Sequence, residues 1–183
     1  DHMLPQAKRA VRQCYTPRHR ATGSFAVKHI TPQQLAELAQ QAQQSPRQRA
    51  NLNLHPQLDD PIQRLAIAME PGTYVRPHRH QHTWELLYPL QGRFLVLHFD
   101  ATGTVIDRAV LGESAAVLEN PAGCWHAVLS LDGGGVIFEV KHGPYMAIDA
   151  GDFAAWSPAA DSADAIRLNN WYAIAQIGDR FSG

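Results

Sequence analysis

The sequence predicts a mainly β domain, a sandwich or barrel of short strands led by one helix. Two observations predict it. Between Arg64 and Lys141 turn signals recur at short intervals: Glu70-Pro71-Gly72, Gln91-Gly92, Asp100 to Gly103, Gly112, Asn120 to Gly123 and Asp132 to Gly135. Many short strands with regular breakers indicate a sandwich or barrel. The size also fits: 183 residues, 45% hydrophobic and 18% charged, hold one domain with extensions and enough apolar matter for a core.

The helix comes first. Thr31 is a good N-cap, Pro32 suits the first helical position and Gln34 completes a capping box. Leu35, Leu38, Ala39 and Ala42 share a face at helical spacing, and Ser45-Pro46 ends the helix because a residue before proline avoids the α region. Residues 47–55 then alternate, with Arg47, Arg49, Asn51, Asn53 and His55 on one face of a predicted strand and Gln48, Ala50, Leu52 and Leu54 on the other. Further strands are expected over 64–69, 73–77, 84–90, 93–99, 104–111, 115–118, 125–131 and 136–141. The tail reads two ways: Ala163 to Ala175 as a helix, or Trp171 to Ile177 as an alternating strand. The expected division is a basic extension over 1–29, a body over 30–158 and a C-terminal extension over 159–183. Asp1-His2-Met3 reads as a cloning scar. Lys8, Arg9, Arg12, Arg18, Arg20 and Lys28 make the arm basic, so contact with an acidic surface competes with a plain solvated terminus.

Charge and composition exclude several classes. A net charge of −1 and a pI near 6.9 argue against a whole-chain nucleic-acid binder. No run of about 18 apolar residues exists to span a membrane, and no secretory leader is visible. Two cysteines, Cys14 and Cys124, suit a reducing compartment rather than a disulfide framework. The expectation is a cytoplasmic protein with a polar or anionic small-molecule ligand.

The informative excess is histidine, ten in all, five of them between His78 and His126. His78 and His80 are two apart, so on a strand both imidazoles share a face and can reach one ion. A turn around Gln81 to Thr83 returns Glu85 to the same pocket, and His126 follows Pro121-Ala122-Gly123. Three imidazoles and a carboxylate suit one divalent transition metal: Fe, Mn, Ni, Co, Cu or Zn. His82 is a candidate fifth ligand or proton shuttle, or else a solvated loop residue; Cys124 shares the parity of His126 and either looks into the pocket or is a small buried hydrophobe. The Arg47, Asn51, Asn53, His55 face is a candidate substrate surface, since arginine grips phosphate or carboxylate and amides and imidazole suit hydroxyls; the competing reading is an edge strand with its wet face outward. Glu139 and Lys141 alternate with Phe138 and Val140. If the polar face lines the interior, Glu139 is a candidate general base, and Tyr74, with the parity of His78 and His80, a second catalytic candidate. Trp84, Trp125 and Phe138 read as core aromatics.

Gly72, five residues, His78, one, His80, four, Glu85, six, Gly92 is the first cupin motif without a gap, and Pro121-x-Gly123-x-x-His126 is the core of the second. Ala115 and Ser130 stand where the second motif's flanking glycine and asparagine are usual. The sequence therefore resembles the cupin superfamily, a jelly roll (double-stranded β-helix barrel) with one central metal. The runs SPRQRANLNLH, DDPIQRLAIAMEPGTYVRPHRH, WELL, VIFEVKHGPY and DFAAWSP, across residues 31–158, further resemble the WbuC family of cupin-fold metalloproteins. His82, Cys124, His142 and both extensions depart from that family's pattern. The resemblance implies a homodimer and a link to surface-polysaccharide biosynthesis. The function expected is a metal-dependent isomerase or epimerase acting on a small sugar or sugar-phosphate-like substrate; an iron-dependent dioxygenase and a non-catalytic ligand sensor are the alternatives.

Overall fold

The computed structural model describes residues 26–182, so most of the basic arm, Cys14 and the proposed cloning scar lie outside the described residues. The chain is mainly β: helix α1 (Pro32–Gln44), strands β1 (Arg49–Asn53), β2 (Ile62–Met69), β3 (Glu85–Gln91), β4 (Phe94–Phe99), β5 (Val105–Leu111), β6 (Leu118–Asn120), β7 (Trp125–Ser130) and β8 (Gly135–His142), then helix α2 (Ala163–Tyr172). Two antiparallel sheets form, one ordered β1-β2-β8-β3-β6 and one ordered β5-β4-β7.

Side-chain parity sorts the chain into four layers. Leu65, Ile67, Met69, Leu87 and Ile137 of the larger sheet meet Phe94, Val96, Leu111 and Val128 of the smaller one between the sheets. The opposite parity on β2 and β8 (Ala66, Ala68, Val136, Phe138) packs under Leu35, Leu38 and Ala42 of α1. On β4 and β7, Leu95, Leu97, Ala127 and Leu129 take Leu168 and Tyr172 of α2. Both faces of each sheet are thus covered, which explains why β4 is buried at every position.

The inward parity changes character along the strands. Toward one end it is apolar. Toward the other it presents Glu85 of β3, Glu139 and Lys141 of β8, His98 of β4, Asn120 of β6 and His126 of β7. The register lines these up: Glu85 faces Asn120 on one side and Lys141 on the other, Lys141 faces Gln63, and His98 faces His126. A second row runs Asn53, Leu65, Glu139, Leu87, so β1 continues the concave face with Arg49, Asn51 and Asn53.

Helix α1 forms as its sequence requires. Thr31 caps Gln34 N–H, the Gln34 side chain returns to Thr31 N–H, and Ser45 is extended at ψ 139° before Pro46. Three expected elements differ. Residues 73–77 form no strand; they are held by the C-terminal segment rather than by a ladder, with Tyr172 Oη donating to Val75 O (3.1 Å), Asn169 Nδ2 to Pro71 O (3.0 Å) and Ala154 N–H to Pro77 O (2.8 Å). The strand expected at 115–118 is displaced to Leu118–Asn120, where it can pair with β3. The Trp171 to Ile177 alternation belongs to the end of α2 and a turn, because Tyr172 and Ala175 fill the core beside Leu168.

Truncating Ile137, 1% exposed at the centre of β8, is expected to cost about 2–5 kcal/mol, read by denaturant unfolding of Ile137→Ala. A loss below about 1 kcal/mol would show that the inter-sheet layer is not the main core.

Candidate metal centre and its cavity

His78 and His126 are brought together by a two-way backbone bridge: His78 N–H donates to His126 O (3.1 Å) and His126 N–H to His78 O (2.9 Å). This isolated bridge replaces the strand expected before His78. The Pro121-x-Gly123 turn supplies the next constraint: Gly123, at φ +79°, donates its N–H to His80 O (2.8 Å) and so ties the two histidine-bearing segments. Gly92 has a different reason to be glycine: at φ +74°, a Cβ there would lie 2.8 Å from Gly134 O.

The imidazoles of His78, His80 and His126 converge, with one ligand nitrogen from each lying within 4.8 Å of the others. Their tautomers follow from their outer partners. His78 Nδ1 is 2.8 Å from Arg76 O and His126 Nδ1 is 3.0 Å from Cys124 O; a carbonyl only accepts, so both Nδ1 atoms carry the proton and both Nε2 atoms point inward bare. Glu85 stands against two of the three, its Oε2 3.1 Å from His126 Nε2 and its Oε1 3.4 Å from His80 Nε2. Neither nitrogen has an aligned hydrogen bond, although both are buried.

A lone pair facing a buried carboxylate is repulsive unless something positive lies between them. In the metal-free chain a proton does this. Burial by itself would lower His126, but the Glu85 carboxylate outweighs it and raises the ring's pKa. Burial would likewise raise Glu85, yet His126, His80 and Lys141 hold it well below the usual carboxylate range. His78 lacks such a partner, so burial and then the His126 charge push it down to about 3. A divalent cation satisfies all these groups at once, and bare imidazole nitrogens with a carboxylate match a transition ion rather than calcium or magnesium.

Behind Glu85 lies a line of buried groups. Asn120 Nδ2 donates to Glu85 Oε2 (3.1 Å), and Asn120 Oδ1 accepts from His98 Nε2 (2.6 Å). His98 Nδ1 comes within 3.2 Å of Asp107 Oδ2 without the alignment of a hydrogen bond. Asn120 therefore fixes the carboxylate from the side away from the cavity. Neither residue signals this role by its place in the chain: Asn120 reads as a turn residue before Pro121, and His98 is one polar position in an apolar run.

In front of the centre opens a cavity of about 730 Å³. His80, Glu139 and Lys141 line it together with Arg47, Arg49, Asn51, Asn53 and His55. The polar faces of β1 and β8 therefore border one space; Glu139 is buried, so an exposed Glu139–Lys141 pair is not what forms, whereas Arg47, Asn51 and Asn53 are exposed and β1 is the edge strand of its sheet. Lys141 Nζ is 2.7 Å from Glu139 Oε1 and 3.6 Å from Glu85 Oε1. Burial and then the Glu85 charge raise Glu139 to about 7. Burial would lower Lys141, but Glu139 and Glu85 reverse that, so it stays cationic. Among the described residues, Arg47 and Arg49 have no ion-pair partner. His55 is buried with Nδ1 against the Arg64 backbone (2.9 Å from its N) and Nε2 without a partner.

Tyr74 is not brought to this site. With no strand at 73–77 its parity has no meaning, and its hydroxyl donates to Pro158 O (3.0 Å) while its ring stacks on Tyr172 at 6.4 Å. His82 is exposed, Cys124 turns its thiol toward Trp125 O, and burial raises that thiol's pKa. Phe138 is a core residue under α1; Trp125 packs at the edge of the smaller sheet with Arg79 over its ring at 4.5 Å, and Trp84 meets His142 at 5.1 Å.

A family model described as a domain of unknown function (DUF6016) matches residues 30–111. No curated protein matches the chain by sequence. Among solved structures, KdgF from Halomonas sp. is similar at 16% identity over 56% of this chain and 83% of that one, with a TM-score of 0.44. An oxalate oxidase in complex with the substrate analogue glycolate shows 15% identity, 57% and 56% coverage and a TM-score of 0.46. The cupin domain of Cnp3 from Schizosaccharomyces pombe shows 14% identity, 52% and 64% coverage and a TM-score of 0.41. Among the described residues no helix is long and apolar enough to cross a membrane.

Two variants separate holding the ion from orienting its holder. Glu85→Gln replaces the carboxylate by a neutral amide and so removes the one charged ligand. Its transition-metal affinity should fall by more than about 100-fold, whereas Asn120→Ala should lose only about 10–100-fold, as calorimetric titration with Zn(II) or Co(II) would show. Parent-like metal affinity in Glu85→Gln would remove Glu85 from the ligand set.

Proposed function

We propose that this chain is a metal-dependent enzyme of the isomerase or epimerase type, acting on a small sugar or sugar-phosphate-like anion, with His78, His80, Glu85 and His126 holding the ion. One observation carries the reading: a single cavity contains the His80 end of the cluster, the Glu139–Lys141 pair, and two guanidinium groups without an anionic partner. Arg49, half-buried and unpaired, favours an anion, with the exposed Arg47 beside it, and a planar guanidinium matches phosphate or carboxylate in two-point contact. Asn51, Asn53 and the free Nε2 of His55 add the mixed donors and acceptors that hydroxyl groups need.

When bound, a divalent ion supplies a Lewis acid that polarises a substrate carbonyl. Glu139 is the group placed to move the proton. Its carboxylate takes the proton from the carbon beside the carbonyl, the hydroxyl proton on that carbon passes to the carbonyl oxygen, and the Glu139 carboxyl, in exchange with solvent, gives a proton to the former carbonyl carbon, so the net reaction neither gains nor loses one. Lys141 stays charged beside it and balances Glu139 when it is ionised, while Arg47 and Arg49 hold the anionic end away from the proton transfer. A link to surface-polysaccharide chemistry, implied by the WbuC resemblance, would supply substrates of this kind.

The test is proton NMR in D2O with metal-loaded protein and a panel of aldose and ketose phosphates. Exchange of the hydrogen next to the carbonyl is expected, and Glu139→Gln should lower its rate by about 10²–10⁴-fold with metal content unchanged. Oxygen consumption with Fe(II) in place of exchange would instead identify a dioxygenase, and saturable binding without turnover a sensor. In the same assay Arg47→Ala and Asn53→Ala should keep the parent's metal content and melting temperature yet lose ligand-induced thermal stabilisation; stabilisation equal to the parent's would remove β1 from the substrate site.

A further inference from the structure

The cavity has a second, chemically different wall. Leu58, Tyr145 and Met146 line it beside the arginines, and they are 58%, 56% and 55% exposed, large apolar groups left in water at its mouth. Scattered apolar side chains on a surface need no explanation, but three converging on the cavity that holds the polar groups do. They come from two loops, one leading into β2 and one leaving β8, and the loops are fastened to each other. Tyr145 N–H donates to Leu58 O (2.7 Å), Gly143 N–H to Pro61 O (2.8 Å), and the buried Gln63 side chain donates to Asp60 O (2.8 Å) and Leu58 O (3.2 Å). Gly143 lies so close to the Asp60 carbonyl that any Cβ would collide with it. The rim is therefore a fixed surface, held before any ligand arrives, and binding there costs little ordering.

We infer that the ligand of this cavity is two-part: an anionic head, phosphate or carboxylate, set against Arg47, Arg49 and the metal centre, joined to a flat or branched apolar group that lies on Leu58, Tyr145 and Met146. This rests on the cavity being the substrate site and narrows the class of substrate. A bare sugar phosphate meets only the polar wall and leaves the apolar rim in water. The volume of about 730 Å³ lies in the range that takes molecules larger than a single ring. Covering apolar surface on both partners then favours the substituted anion over the unsubstituted one.

Calorimetric titration of Zn(II)-loaded protein with inorganic phosphate, glucose 1-phosphate and phenyl phosphate tests this. Phenyl phosphate should bind at least about tenfold more tightly than either polar anion. In Tyr145→Ser/Met146→Ser that advantage should shrink to about threefold or less, with inorganic phosphate bound as in the parent. Arg49→Ala should weaken all three anions. Equal affinity for phenyl and inorganic phosphate in the parent, or an advantage that survives the double variant, overturns the two-part ligand while leaving the anion site standing. Fully metal-loaded parent that binds none of the anions overturns both. Size-exclusion chromatography completes the test: a parent that dissociates when the rim is changed would show that the rim is covered by a second copy, and the inference fails.

Discussion

A buried carboxylate facing the bare Nε2 of His126, with His80 Nε2 beside it, is the interaction on which the rest depends. A neutral His126 and an ionised Glu85 repel across 3.1 Å unless a positive charge joins them. The backbone removes the easy escape, because the carbonyls of Arg76 and Cys124 hold the outer nitrogens of His78 and His126 as donors. Asn120 removes another by bonding the Glu85 oxygen from behind. Held in this way, His126 and Glu85 are left facing each other, and a cation between them relieves the repulsion.

The sheet geometry makes such a site affordable. Each inward row changes from apolar to polar along the strand, so polar groups gather at one end of the interior and Phe94, Val96, Ile137 and Val128 fill the other. The outer faces are separately sealed by α1 and α2, and the core stays intact however demanding the polar end becomes. β1 extends this end outward, and its Arg49, Asn51 and Asn53 face the same space as Glu139.

Much of this was legible because the relevant signals are local. The Thr31 capping box, the Ser45-Pro46 stop and the turn glycines act within a few residues, and the helix and most strands follow from them. The histidine spacing was readable because each ligand's neighbourhood is short. What stayed hidden depends on distant partners. The segment 73–77 has strand-like residues, but Tyr172 and Ala154, far along the chain, take the carbonyls of Val75 and Pro77, and with the strand went the parity argument for Tyr74. Asn120 and His98 earn their roles from the register of β6 against β3 and of β4 against β7, which no spacing within either strand reveals. The inward direction of Glu139 was an even choice until α1 covered Phe138 on the opposite face.

The segment carrying His78 hangs from the C-terminal part of the chain. Arg76 is held by the Ser157 side chain and carbonyl at 2.8 and 2.9 Å, Arg79 by Asp152 at 2.9 Å, and Val75 by Tyr172. None of these bonds belongs to a sheet ladder, so this is the part of the centre able to open without unzipping the sheets. The place of His78 is thus set from two directions, by its backbone bridge to β7 and by the C-terminal segment that grips its neighbours. A side chain nearly a hundred residues downstream, Tyr172, therefore helps to aim a histidine that neither sheet carries.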